Sequence, residues 1–293
     1  MGSVGKTPRV GVVFRPQLPP ERLRGYVGAA EAGGLDDVWL WEDCFGEGGL
    51  ASATAALAWT GSLRIGLGLM PVPFRNPALA AMEIATLARL FPGRFVPAAG
   101  HGVLSWMDQV GARASSPMTL LREWVGAVRA LLHGQTVTVG GQYLRLDGVA
   151  LDWPPAAVPP LLIGARGPRT LALAGEAADG LVLDADISPD GVRKAVATAA
   201  AVRPHEVVVY LPSGAGPGAG ERIGAELAQS ARTAAHSAAV GSPEDVASVI
   251  RAFAAAGATT VVLQPTGDDP DVQATIRLGA EARAVLRSAS GAS

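Results

Sequence analysis

PLLIGARGPRTLALAGEAADGLVLD, residues 160–184, packs a strand, a glycine turn, a helix and a second strand into one short unit. Leu161, Leu162 and Ile163 form an apolar run without polar alternation, and so do Leu181, Val182 and Leu183. Such runs belong to parallel strands covered on both faces, because a strand with one wet face alternates. Between the runs, Pro168 stands where a helix takes its first residue. The unit is β-α-β.

The same rhythm extends outward in both directions. Upstream lie RVGVVF (9–14), DDVWLW (36–41), LRIGLGLM (63–70) and RFVPAAG (94–100). Downstream lie EVVVYL (206–211) and TTVVLQ (259–264). Helical patterns fill the gaps. Asn76-Pro77 places a cap and a first-turn proline before Leu79, Met82, Ile84, Leu87 and Leu90. Ser116-Pro117 does the same before the apolar face from Leu120 to Leu132, which Gly134 then closes. Ser242-Pro243-Glu244-Asp245 reads as a capping box opening a helix that stops at Gly257. Eight strand–helix units predict a closed parallel barrel, the (β/α)8 or TIM barrel, as a single domain over residues 1–293. An open doubly wound sheet is the alternative, and the even spacing favours closure. Two insertions interrupt the rhythm. After strand four come a hairpin turning at Gly140-Gly141 and the proline-rich DWPPAAVPP. After strand seven, residues 212–224 read as a glycine-rich surface loop. The tail from about 287 is expected to be disordered.

Composition narrows the function. With 49% hydrophobic residues and a net charge of −2, the chain can fill a core and lacks the signature of disorder. Balanced charge without a basic tract argues against nucleic acid. No apolar stretch reaches 18 residues, and the N-terminus lacks a signal-peptide core, so the protein is expected in the cytoplasm and off the membrane. One cysteine, Cys44, leaves no disulfide framework, and four scattered histidines (101, 133, 205 and 236) predict no metal site. HExxH, GxSxG and GxxxxGK[ST] are absent, so a zinc protease, an α/β hydrolase or a P-loop enzyme has no support.

Barrel enzymes build their sites at the C-terminal ends of the strands. That rule nominates Arg15, Glu42 with Asp43, Gly68 to Met70, His101, Gly164 to Gly167, Asp184 and Gln264. The turn Gly164-Ala165-Arg166-Gly167-Pro168 leads from a strand into a helix N-terminus. It reads either as a phosphate cradle of free amides with an arginine, or as a tight turn needing glycine at positive φ. Glu42 and Asp43 end strand two beside Trp41 and Phe45. In an apolar setting one of them suits a general acid; otherwise one caps a helix or pairs with an arginine. His101, flanked by Gly100 and Gly102, is either functional or a structural hydrogen-bonder.

Together VWLWEDCF, RIGLGLMPVPFRNPALAAMEIATLARLFPGRF, GHGVLSWMDQVGA, LLIGARGPRTLALAGEAADG and GSPEDVASVIRAFAAAGATTVVLQP resemble the luciferase-like family of flavin- and deazaflavin-dependent oxidoreductases. The resemblance implies a (β/α)8 barrel that binds F420 or FMN at the strand C-termini. It implies coenzyme phosphate at Gly164, Ala165, Arg166, Gly167 and Pro168. It also implies a non-prolyl cis peptide at Gly68–Leu69, with Gly68, Leu69, Met70 and His101 near the ring. The family's strand-two acid and neighbouring histidine match Glu42 and Asp43, so the histidine is replaced. Val103 stands near where some deazaflavin members carry a glutamate. The implied activity is hydride transfer between F420 and a small organic substrate, with Glu42, Asp43 and His101 as the catalytic candidates and Glu42 favoured as proton donor. The alternatives are an FMNH2-dependent monooxygenase using O2 and a non-catalytic flavin-binding barrel. A homodimer is the expected assembly.

Overall fold

A computed structural model of the protein describes residues 7–201, 205–229 and 238–290. Its strands are β1 (Arg9–Phe14), β2 (Asp37–Leu40), β3 (Arg64–Pro71), β4 (Phe95–Gly100), β5 (Val137–Gly140), β6 (Arg145–Val149), β7 (Leu162–Gly164), β8 (Gly180–Leu183), β9 (Glu206–Pro212) and β10 (Thr260–Gln264). Its helices are α1 (Leu23–Ala32), α2 (Gly49–Trp59), α3 (Pro77–Leu90), α4 (Leu104–Gln109), α5 (Pro117–Leu132), α6 (Pro168–Ala177), α7 (Pro189–Ala199), α8 (Ala219–Gln229), α9 (Pro243–Ala255) and α10 (Val272–Ser290). All eight strands read from the sequence form, and they close a parallel barrel in the order β1-β10-β9-β8-β7-β4-β3-β2. β5 and β6 pair antiparallel outside the barrel, in the insertion after strand four. Glu123 on α5 fixes that hairpin by accepting the amides of Gln142, Tyr143 and Leu144.

The strand residues divide by parity, as alternation requires. Val12, Phe14, Val38, Leu40, Val209, Leu211, Val261 and Leu263 pack outward against the helices. Val13, Trp39, Val96, Ala98, Leu162, Val182, Val208, Tyr210 and Val262 fill the barrel interior. Trp39 is far larger than the usual branched aliphatic residue there. Glycine makes its space: a Cβ on Gly66 would lie 2.3 Å from the indole ring.

The helix signals hold with one change. Asn76 accepts the Ala78 amide at 2.9 Å, Ser242 and Asp245 form the capping box, and Gly134 takes φ +73. The Ser116 hydroxyl pairs with Thr119 Oγ1 instead, so it caps no backbone amide. Two boundaries differ from the sequence reading. The glycine-rich loop is helical from Ala219 onward, because Ile223 and Leu227 offer a buried face and Arg222 ties down the carbonyls of Ala215 and Pro217. The tail expected to be disordered from 287 is helical through Ser290, since Arg283 and Arg287 pair with Asp36 and Leu286 is buried. Residues 291–293 and His236 lie outside the described residues.

At the opposite end from the expected site, Asp37 is fully buried, with Arg64 Nε 3.3 Å from its carboxylate. Arg64 also donates to Glu206 at 2.6 Å. Burial pushes the Asp37 carboxyl up to about 6 against the pull of Arg64. A folded pKa above the unfolded one adds stability at low pH that is lost as pH rises through the folded value. Asp37→Asn removes that loss and leaves Arg64 paired with Glu206. The variant is expected to match wild type near pH 4 and to exceed it by up to about 3 kcal/mol at pH 8, measured by urea unfolding. A wild-type advantage at pH 8 would contradict this account.

Candidate active site

The strand C-termini converge on one mouth. Between Leu67 and Met70 the β3–β4 register slips, and the Gly68–Leu69 peptide is cis, at the bond that the family resemblance implied. Such irregularities re-aim side chains and gather beside active sites. Leu69 turns inward over the barrel core, in the gap left by two glycines. A Cβ on Gly100 or on Gly164 would each lie 2.4 Å from Leu69 Cδ2. Met70, expected beside the coenzyme, goes the other way: it is fully buried in the layer under the helices. The slip in register is the reason, because it changes which residue of the pair faces inward. Tyr210 closes the floor beneath, its hydroxyl donating to the Gly68 carbonyl at 3.1 Å and its ring edge-on to Trp39 and Trp41. Burial pushes that phenol far above its ordinary range.

Arg75 holds Glu42 with two hydrogen bonds of 2.6 and 2.5 Å, and the Gly49 amide at the start of α2 adds a third contact at 3.3 Å. Trp41 packs against the barrel interior, and the Glu42 side chain is mostly buried in its contact with Arg75. The apolar setting expected for Glu42 is therefore an arginine clamp. The charge of Asp43 is felt by the buried Tyr210 hydroxyl. Burial lowers the pKa of His101 below its ordinary value, with the Pro117 backbone partly opposing. Its ring is neutral at neutral pH, and it lines a small apolar pocket with Val72, Leu104 and Met107.

The turn after β7 departs from the sequence expectation in detail. Gly167 has φ −92, so it needs no left-handed backbone, and nothing lies within 4 Å of a Cβ built there. It caps α6 without any side-chain hydrogen bond, leaving first-turn amides for an outside acceptor. The Ala165 amide is spent on the Val182 carbonyl at 3.1 Å, so it is not one of them. Arg166 pairs with Asp184 across the rim, and Pro168 and Arg169 are exposed.

Several features escaped the sequence. Arg75 carried no signal beyond its place before the Asn76 cap. Tyr210 was readable: it is the one polar aromatic in EVVVYL, at the parity of an inward residue. Among the described residues, the buried polar atoms without partners include three at this end: His101 Nδ1, Ser213 Oγ and Gln264 Oε1. Buried polar atoms are nearly always satisfied, so a group of orphans marks a place for a ligand. The open first turn of α6 and the Leu69 surface seated between Gly100 and Gly164 also fit a flat, phosphate-bearing coenzyme.

The family model described as luciferase-like monooxygenase matches residues 7–209. The chain belongs to this family. A 5,10-methylenetetrahydromethanopterin reductase of Methanolobus tindarius is 28% identical over 267 residues, which is 91% of this chain and 77% of that one. An F420-dependent glucose-6-phosphate dehydrogenase of Nakamurella multipartita is 32% identical over 213 residues, 61% of this chain and 60% of that one. Among solved structures, an F420-dependent secondary alcohol dehydrogenase in complex with an F420-acetone adduct superposes with a TM-score of 0.84. It is 21% identical, and the match covers 96% of this chain and all of that one. The luciferase-like barrel expected from the motifs is thus the fold observed.

Proposed function

We infer that this luciferase-like protein is an oxidoreductase that transfers hydride between deazaflavin F420 and a small organic substrate. Similarity to F420-dependent relatives carries the choice of coenzyme. The mouth supports it, with an uncapped α6 for a phosphate and the Leu69 ledge between Gly100 and Gly164 for a ring.

When bound, the deazaflavin supplies a ring carbon that accepts or gives hydride; the chain supplies position and a proton path. The α6 amides hold the phosphate, with Gly164, Arg166, Gly167 and Pro168 shaping the turn. Gly68 and Leu69 support the ring, and His101 borders it as a neutral hydrogen-bonding group. Asp43 exchanges the substrate proton. Glu42, clamped by Arg75, is a positioning residue that holds the rim of β2 beside Asp43.

Fluorescence titration tests the coenzyme. F420 is expected to bind at least about tenfold tighter than FMN, and turnover is expected to be equal in air and under argon. Tight FMN binding with strict O2 dependence would instead establish the monooxygenase reading. Binding of F420 without turnover of any substrate would favour a barrel that only sequesters coenzyme.

We also propose that the chain acts as one domain in a cytoplasmic homodimer. One cysteine in 293 residues supports the compartment. Leu79, Met82 and Leu90 form an exposed apolar stripe on α3, which supports the dimer. Among the described residues, no helix is long and apolar enough to cross a membrane. Met82→Glu should halve the mass measured by light scattering at micromolar protein. An unchanged dimer in that variant would move the interface elsewhere.

A further inference from the structure

Gln264 ends β10 in phase with Val262, on the row that faces the barrel interior. It is 5% exposed, and its Oε1 has no hydrogen-bond partner among the described residues. An amide oxygen stranded in this way asks for a donor from outside the chain. Just past the end of the neighbouring β1, Arg15 is buried and stacks 5.2 Å from the centre of the Trp41 ring. Its charge is already matched: Nη1 donates to Glu226 Oε1 at 2.7 Å and to the Pro265 carbonyl at 2.9 Å, and Nε to Gln17 at 3.2 Å.

Several other arginines at this end are engaged in the same way. Arg75 is held by Glu42, Arg113 by Asp108 and Arg166 by Asp184, while Arg222 turns onto the carbonyls of its own loop. Arg169 is exposed at the α6 turn, where the coenzyme phosphate is placed. Lys6 and Lys194 are the sole lysines; Lys194 stands on α7, and Lys6 lies outside the described residues. At these engaged arginines a substrate phosphate would have to break an existing ion pair, while exposed Arg22 in the loop after β1 lines a recess with Glu21, Tyr26 and Asp271.

We propose that Gln264 is a specificity residue for a neutral, hydroxyl-bearing substrate, accepting a hydrogen bond from a hydroxyl away from the reacting carbon. This rests on the hydride-transfer reading above. β10, β1 and β2 are adjacent and their register sets Gln264 level with Trp39, so Asp43 lies two strand spacings away, roughly 10 Å sideways, and further toward the mouth end of β2. A compound whose oxygen functions lie well apart is needed to reach both. In the oxidative direction the reacting C–H gives its hydride to oxidised coenzyme, the hydroxyl on that carbon gives its proton to Asp43, and a C=O bond forms. The second hydroxyl stays unreacted on Gln264.

The test uses the full-length, F420-loaded protein and a panel of neutral polyols and sugars, each beside its phosphate monoester. Binding is followed by calorimetry and turnover by coenzyme absorbance. Neutral members should bind at least about tenfold tighter than their esters. Gln264→Leu should raise KM for them about tenfold with a smaller change in kcat, while Gln264→Glu, which still accepts a hydrogen bond, should restore KM to within about threefold. Thermal melts confirm that the variants are folded. Tighter binding of the esters, no binding of any neutral member, or an unchanged KM in a folded Gln264→Leu variant would overturn the proposal. So would a loss of F420 affinity in Gln264→Leu, which would place Gln264 against the coenzyme. Wild-type protein that fails to bind F420 would sink the hydride-transfer reading itself, a result separable from all of these.

Discussion

Asp43→Asn is expected to lower turnover by about 10²- to 10⁴-fold while F420 affinity stays within about twofold. Oxidising a C–O bond releases a proton as well as a hydride, and a carboxylate at the rim is the group to receive it. Asparagine keeps the size and one acceptor but cannot take up a proton at working pH. Asp43 follows the end of β2, close enough to Tyr210 for its charge to disfavour the phenolate. Glu42 is poorly suited to the task. Its two oxygens already accept from Arg75 and from Gly49, and a proton added there would break the ion pair. Glu42→Gln should therefore act mainly on stability, by loosening the β2 rim and stranding the mostly buried Arg75. The decisive comparison is stopped-flow hydride transfer in Asp43→Asn and His101→Asn. Full activity in the first with a dead second would assign the proton to the neutral imidazole.

The barrel was legible because parallel strands buried on both faces leave continuous apolar runs, and eight of them recur at barrel spacing. The candidate site was legible in outline for a different reason: strand ends in this fold are its only mouth-facing positions. Its details depend on contacts between distant residues, and local patterns do not encode these. Glu42 meets Arg75 across 33 residues, and Arg15 meets Glu226 across 211. The opposite directions of Leu69 and Met70 depend on a register slip that the spacing of RIGLGLM does not show. Gly167 illustrates the limit of arguing from residue type. Its value at that turn is the empty space beside it, and its backbone dihedrals are ones any residue adopts.

That empty space permits a test in which helix stability and coenzyme binding move in opposite directions. Gly167→Asp places a carboxylate at the N-cap of α6, where φ −92 and ψ 158 suit a capping aspartate and no atom obstructs its Cβ. Asp at an N-cap satisfies orphan amides of the first turn and complements the helix dipole, so the fold should hold or gain a few tenths of a kcal/mol. The same amides are the ones proposed to hold the coenzyme phosphate. The new carboxylate would occupy them and repel the phosphate, so F420 binding should weaken by about 100-fold or more, roughly 3 kcal/mol. Gly167→Asn caps almost as well without the charge, so it isolates occupation from repulsion and should cost less. Both variants are read by fluorescence titration beside a thermal melt, with the salt dependence of the difference between them reporting the electrostatic share. If Gly167→Asp melts no lower than wild type and binds F420 equally well, the phosphate does not sit on α6. A folded variant with lost affinity is the outcome that the uncapped helix, the open Cβ direction and the turn after β7 jointly require.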